Sequence, residues 1–141
     1  MRILTNSAQE TVQAGQALAK KLKSGDVVLL VGELGGGKTT FVKGLVKGLR
    51  IKARVTSPTF TLLRRYKKKG LTVNHLDLYR LDKIADIYAI GLDEYLYAQD
   101  SLTFIEWGEK IESSLPAYFK ITFRHAGGDC RRITVIRNPK S

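Results

Sequence analysis

Cysteine is almost missing from this chain: Cys130 stands alone among 141 residues, so no disulfide framework can form. Neither Cys130, His75 nor His125 falls in a Cys/His cluster with zinc spacing, which excludes a structural zinc site. A reducing, cytoplasmic setting is the expectation. Long apolar runs are missing too. The longest, Val27 to Val31, falls far short of the roughly 20 residues a membrane-spanning helix needs, and Met1 to Asn6 has no apolar signal-peptide core. Neither secretion nor membrane insertion is expected. There is no internal repeat, low-complexity tract or linker, and 43% hydrophobic with 26% charged residues argues against disorder. A single domain over residues 1–141 is the expectation.

Acidic residues are scarce, 13 against 24 Lys and Arg, for a net charge of +11. They are also unevenly placed. Residues 1–76 hold 15 basic and 3 acidic side chains, residues 77–112 hold 3 and 9, and residues 113–141 hold 6 and 1. A molecule with one basic and one acidic side follows, suited to a polyanion such as nucleotide or RNA, or to a charged protein partner.

Ser7-Ala8-Gln9-Glu10 has the capping-box form, and Val12, Gly15, Leu18 and Leu22 recur at helical spacing before the stop at Ser24-Gly25-Asp26. Val27 to Val31 is a continuous β-branched and leucine run, the pattern of a strand buried on both faces. A second amphipathic helix is predicted from about Lys38 to Leu49. Thr59 to Tyr66 and Leu71 to Leu78 read as strands of a hairpin with a basic tip, Lys67-Lys68-Lys69-Gly70. Asp82 to Leu96 reads as helical and broken by Gly91; Leu102 to Ile105, Tyr118 to Arg124 and Arg131 to Arg137 read as strands. The fold class expected is α/β, a central, mostly parallel sheet with flanking helices and added antiparallel hairpin strands.

Gly32-Glu33-Leu34-Gly35-Gly36-Gly37-Lys38-Thr39 matches G-x-x-x-x-G-K-[ST] without a mismatch, between a predicted buried strand and a predicted helix. Glycines at these positions let successive N–H groups point into one concavity at the positive end of the helix, where phosphate binds. Lys38 adds a mobile cation for the β- and γ-phosphates, and the Thr39 hydroxyl is placed to ligate Mg²⁺. Gly35, Gly36, Gly37, Lys38, Thr39 and Thr40 are therefore the candidate nucleotide-binding residues.

A nucleotide triphosphatase also needs a carboxylate at a neighbouring strand end for Mg²⁺ and the attacking water. Glu106 closes the apolar strand Leu102 to Ile105, and Asp77 shares a face with Val73 in an alternating segment. Either could act on the water. Ser57 and Thr59, around Pro58, read from spacing alone as a proline turn ahead of the alternative, sensors of a γ-phosphate. Trp107 reads as core packing or as a stacking surface. Arg64, Arg65 and Lys67 lead a basic cluster suited to RNA phosphates or an acidic protein, whereas Lys43, Lys47 and Arg50 read as a solvated helix face. His75 and His125 read as isolated packed or surface residues.

Four ordered segments, Gly32 to Phe41, Ser57-Pro58-Thr59-Phe60, His75-Leu76-Asp77-Leu78-Tyr79-Arg80-Leu81 and Ile105-Glu106-Trp107, resemble the bacterial TsaE (YjeE) family, ATPases required for threonylcarbamoyladenosine (t6A) in tRNA. The resemblance covers nearly the whole chain. It implies a single-domain P-loop NTPase fold, Mg²⁺-dependent ATP hydrolysis, and assembly with the TsaD–TsaB pair that performs the transfer to tRNA, so that tRNA is met indirectly through that complex. It also implies phosphate and metal roles for Lys38 and Thr39, metal binding for Glu106, an essential role for Asp77, and functional roles for Ser57, Thr59 and Trp107. Glu33 stands where the family usually has Asp, Gly36 where Ala is common, and Gly108 where Pro is frequent, without loss of a functional group.

Two other functions remain open on the residues alone. A small-molecule kinase uses the same phosphate loop but needs an acceptor pocket, for which a chain of this size leaves little room. An RNA-binding module would use nucleotide only as a structural ligand. A GTPase fits less well, because no D-x-x-G occurs and Asn74-His75-Leu76-Asp77 is a loose match to N-K-x-D.

Overall fold

The computed structural model describes residues 1–33, 37–58 and 62–138. Gly35, Gly36 and Thr59 fall outside the described residues. The elements run β1 (Arg2–Thr5), α1 (Ala8–Ala19), β2 (Val27–Gly32), α2 (Lys38–Gly48), β3 (Leu63–Lys68), β4 (Leu71–Asp77), α3 (Ile84–Ala89), β5 (Ser101–Glu106), β6 (Tyr118–His125) and β7 (Arg131–Asn138). Short 3₁₀ turns occupy Leu92–Glu94, Gly108–Lys110 and Glu112–Ser114.

All seven strands join one sheet in the order β1-β7-β6-β2-β5-β4-β3. The pairs β2/β6, β2/β5 and β4/β5 are parallel, and β1/β7, β6/β7 and β3/β4 are antiparallel. The expected combination is present: the four central strands β6, β2, β5 and β4 are parallel, and antiparallel hairpin strands extend the sheet at both edges. The physical reason is the connections. The long connections through α2, α3 and the 3₁₀ turns let β4, β5 and β6 run in the same direction as β2, whereas the tight turns at Lys69-Gly70 and after His125 reverse the chain.

β2 is buried on both faces, as its sequence implies. Val28 and Leu30 pack toward α1 and α2 with Phe41, Val42, Leu45 and Val46, while Val27 and Leu29 pack with Leu76, Ile87, Leu92 and Ile111 on the other face. The charge asymmetry follows these layers. The first face is covered by helices from the basic part of the chain and the second by α3 and the turns of the acidic part.

The Ser7 hydroxyl caps α1 by accepting from the Glu10 N–H at 3.1 Å, and the Glu10 carboxylate accepts from Asn6 N–H at 2.9 Å, one residue before the usual capping-box partner. α1 and α2 approach closely at Gly15 and Gly44. A Cβ at Gly44 would overlap the Val12 carbonyl, and one at Gly15 the Phe41 carbonyl, so only glycine permits this helix contact. Gly91 ends the predicted 82–96 helix, with α3 stopping at Ala89 and φ of 85° at Gly91. β1 has no signal in the sequence because it is a four-residue edge strand with one buried side chain, Thr5, and exists through pairing with β7.

Candidate functional site

The site lies at the carboxyl ends of the parallel strands, where the sheet delivers its last side chains beside the start of α2. β4 and β5 are in register with Asp77 opposite Glu106, and Leu30 of β2 lies opposite Glu106 on its other side. Alternation sends Val73, His75 and Asp77 to the α2 face, together with Phe104 and Glu106. The same face receives the first turn of α2. Gly37 caps that helix with φ of 99°, a left-handed conformation natural to glycine, and Lys38, Thr39 and Thr40 follow it.

A cavity of about 420 Å³ collects Gly37, Lys38, Thr39, Thr40, Ser57, Asp77 and Glu106. Of the predicted nucleotide, metal and catalytic residues, all those among the described residues therefore converge. The Thr39 hydroxyl lies 3.4 and 3.3 Å from the two oxygens of Glu106. Two hard oxygen donors on facing elements suit Mg²⁺, which usually takes one or two protein ligands and completes its shell with waters and phosphates. Among the described residues no group of three His, Cys, Asp or Glu side chains could hold a metal by itself.

Lys38 is only 4% exposed. Its Nζ donates to the Gly32 carbonyl at 2.7 Å and sits 3.9 Å above the Trp107 ring centre. Burial pushes the ammonium below its ordinary 10.5, while the charges of Glu106, Glu109 and Asp77 pull it back up. Asp77 is turned by its own backbone: Oδ1 accepts from Tyr79 N–H at 2.8 Å. The following loop is held by Lys110, whose Nζ donates to the carbonyls of Leu78, Tyr79 and Leu81 at 2.9, 3.0 and 2.9 Å.

Trp107 is half-buried between Lys38 and Tyr79, whose ring lies 5.2 Å away. Its φ of 61° is left-handed, a conformation that costs a bulky residue about 1–3 kcal/mol. Its indole Nε1 is buried with no hydrogen-bond partner among the described residues. Its ring also packs against the second core cluster, so the expected core packing is present alongside the contact with Lys38.

His75 is the largest departure from the sequence reading. It is fully buried, with Nε2 2.6 Å from Glu106 Oε2 and Nδ1 3.5 Å from the Tyr66 hydroxyl. Burial raises the Tyr66 phenol above its usual value, so it stays a hydroxyl at neutral pH. The signal was present: His75 stands two residues before Asp77 and so shares its face. Thr11 of α1 and Asp129 and Arg131 of the β6–β7 hairpin also line the cavity. No local signal marks them, because the packing of α1 on α2 and the parallel pairing of β6 with β2 bring them there.

The basic cluster divides. Arg65 lies over the Tyr95 ring at 4.9 Å and Lys68 donates to the Leu49 carbonyl at 2.7 Å, while Arg64 and Lys67 extend into solvent. His125 is exposed, as expected. A separate cleft of about 650 Å³ is lined by Gly32, Trp107, Glu33, Glu109, Arg124 and Arg132, among others. No helix among the described residues is long and apolar enough to cross a membrane.

The profile of a known family, "Threonylcarbamoyl adenosine biosynthesis protein TsaE", matches residues 5–133. The chain belongs to the TsaE family. A TsaE from Treponema pallidum is 45% identical over 136 residues, covering 96% of this chain and 99% of that protein. A TsaE from Bacillus subtilis is 40% identical over 131 residues, covering 92% and 81%. Both relatives are described as tRNA threonylcarbamoyladenosine biosynthesis proteins. The crystal structure of Bacillus subtilis YdiB superimposes with a TM-score of 0.80 at 36% identity, covering 96% of this TsaE chain and 83% of that one.

Proposed function

We propose that this TsaE-family protein is a Mg²⁺-dependent ATP hydrolase of P-loop type that serves tRNA threonylcarbamoyladenosine biosynthesis, cycling with the TsaD–TsaB pair. The observation that carries the reading is the meeting of Thr39 and Glu106 beside Lys38 in one cavity at the carboxyl end of a parallel sheet. Amides at the start of α2, with Gly35, Gly36, Gly37 and Thr40, bind the phosphates at the positive end of the helix. Lys38 leaves the Gly32 carbonyl and the Trp107 face to pair with the β- and γ-phosphates. Its burial strengthens this pairing, because phosphate adds to the counter-charge of Glu106, Glu109 and Asp77 in a site shielded from water.

Thr39 and Glu106 are the ligands for Mg²⁺, which supplies neutralisation of charge on the transferred phosphoryl group. Glu106 is already engaged by Thr39 and His75, so orientation of the attacking water falls to Asp77, fixed by its bond from Tyr79 N–H. Ser57 and Thr59 contact the γ-phosphate end, and Trp107 reports the lysine's departure. Arg64, Arg65 and Lys67 form a docking face for the tRNA-bearing complex; tRNA is met through that complex.

The test is phosphate release from ATP with and without the TsaD–TsaB pair. Slow release alone, altered by the pair and abolished by Lys38→Ala or Glu106→Ala, is expected. The second cleft beside Trp107 favours one other reading, a kinase whose acceptor occupies it. That reading replaces ours if a small hydroxyl compound is phosphorylated and no phosphate is released without it.

A further inference from the structure

Behind Glu106 runs a chain of buried side chains with no part in phosphate binding. His75 Nε2 lies 2.6 Å from Glu106 Oε2, its Nδ1 lies 3.5 Å from the Tyr66 hydroxyl, and the Thr56 carbonyl lies 3.3 Å from that hydroxyl, whose one hydrogen goes to either acceptor. Glu106 is 4% exposed and His75 0%. A carboxylate that ligates a metal only accepts, so on the reading of Glu106 as a ligand the hydrogen in this bond is on Nε2. A charge-assisted bond shielded from water is among the stronger hydrogen bonds a protein makes. The terminal torsion of a glutamate is otherwise soft and broadly populated, so without a partner the carboxylate would swing in its groove.

We propose that His75 is the positioning residue of the site: it clamps Oε2 of Glu106 so that the carboxylate is held facing the Thr39 hydroxyl, in the orientation that receives Mg²⁺ with nucleotide. Tyr66 holds the ring from behind. The inference rests on the reading of Thr39 and Glu106 as metal ligands. Outer partners that orient ligands in this way typically change metal affinity by 10- to 100-fold. A histidine that only filled the core would affect stability and leave the Mg²⁺ dependence of the folded protein unchanged.

The test compares His75→Asn with His75→Gln. Glutamine carries its amide nitrogen near the place of Nε2, whereas asparagine reaches only as far as Nδ1. ADP affinity is measured by calorimetry in EDTA and across a Mg²⁺ series, on protein checked for folding by circular dichroism. In EDTA, the wild type and both variants should bind alike. The Mg²⁺ concentration that half-saturates the affinity gain should rise about tenfold or more in His75→Asn and return most of the way in His75→Gln. Variants both within twofold of the wild type would overturn the proposal. A wild type whose ADP affinity ignores Mg²⁺ would remove the metal reading and the role of His75 together.

Should His75→Asn fail to fold, nitrogen-15 NMR of the nucleotide-free wild type decides. Only two histidines occur, and His75 should carry its hydrogen on Nε2. A hydrogen on Nδ1 alone would overturn the clamp, independently of any hydrolysis.

Discussion

Thr39 and Glu106 stand 67 residues apart in the chain, yet the threonine hydroxyl lies 3.3 Å from Oε2 of the glutamate. One opens α2 and the other closes β5, and the parallel pairing of β2 with β5 brings the two ends together. Removing either oxygen donor should weaken the Mg²⁺ dependence without unfolding the protein. Thr39→Val and Glu106→Gln are expected to lower ATP hydrolysis on the order of 10²–10³-fold, and Thr39→Ser to retain most of it. Phosphate release across a Mg²⁺ series checks this.

Lys38 is held against the preference of its own charge. Burial lowers its native value below the 10.5 of the unfolded chain, so the folded state binds protons less readily in the interval between them. In that interval the unfolded chain carries more protons, and stability rises with pH. Below it the full cost of the buried charge is present. Lys38→Met should therefore raise the melting temperature of the nucleotide-free protein at neutral pH, and this gain should shrink as pH climbs toward 10.5. Paired thermal melts across pH measure the difference.

Trp107 is the only tryptophan, and the Lys38 ammonium rests 3.9 Å from its ring centre. Nucleotide binding that draws Lys38 away should change the intrinsic fluorescence. In Lys38→Met the response should be lost, because no cation leaves the ring. A fluorescence titration with ADP reads both outcomes.

The α1–α2 contact tolerates no added carbon at its centre. Gly44→Ala should destabilise the protein by about 1–3 kcal/mol, since the new Cβ meets the Val12 carbonyl and the helices must separate. Urea unfolding gives the value. A midpoint unchanged from the wild type would contradict the packing described.

Arg64 and Lys67 project from the β3–β4 hairpin, whereas Arg65 and Lys68 are tied to Tyr95 and Leu49. Charge reversal at Arg64 and Lys67 should weaken association with the TsaD–TsaB–tRNA assembly and flatten its salt dependence. Binding measured at low and physiological salt tests this docking face.

Much of this was legible in the chain. The capping box at Ser7, the two-sided apolar run at Val27 to Val31, the helix from Lys38 and the break at Gly91 each follow from local rules, because their signals lie within a few residues of one another. β1 was not legible, since it is held by pairing with β7 and by contacts to α1 and the core that no local signal marks. The parallel centre and antiparallel edges were only partly so, because strand direction depends on where connections land. Asp77 and Glu106 could be picked out as acids at strand ends. That they stand opposite each other in register could not.

The sequence by itself determined that a glycine-rich loop, a lysine and a hydroxyl open a helix after a buried strand, and that the basic and acidic parts of the chain are separate. Tertiary structure alone decided that Lys38 is buried on Trp107, that Arg131 reaches the cavity, and that His75 is no isolated core residue but the partner of Glu106. The physical reason is the range of the forces involved. Backbone conformation and periodicity act between near neighbours and are written locally, whereas a carboxylate's orientation and a lysine's desolvation are set by atoms that only the packed sheet brings within a few ångströms.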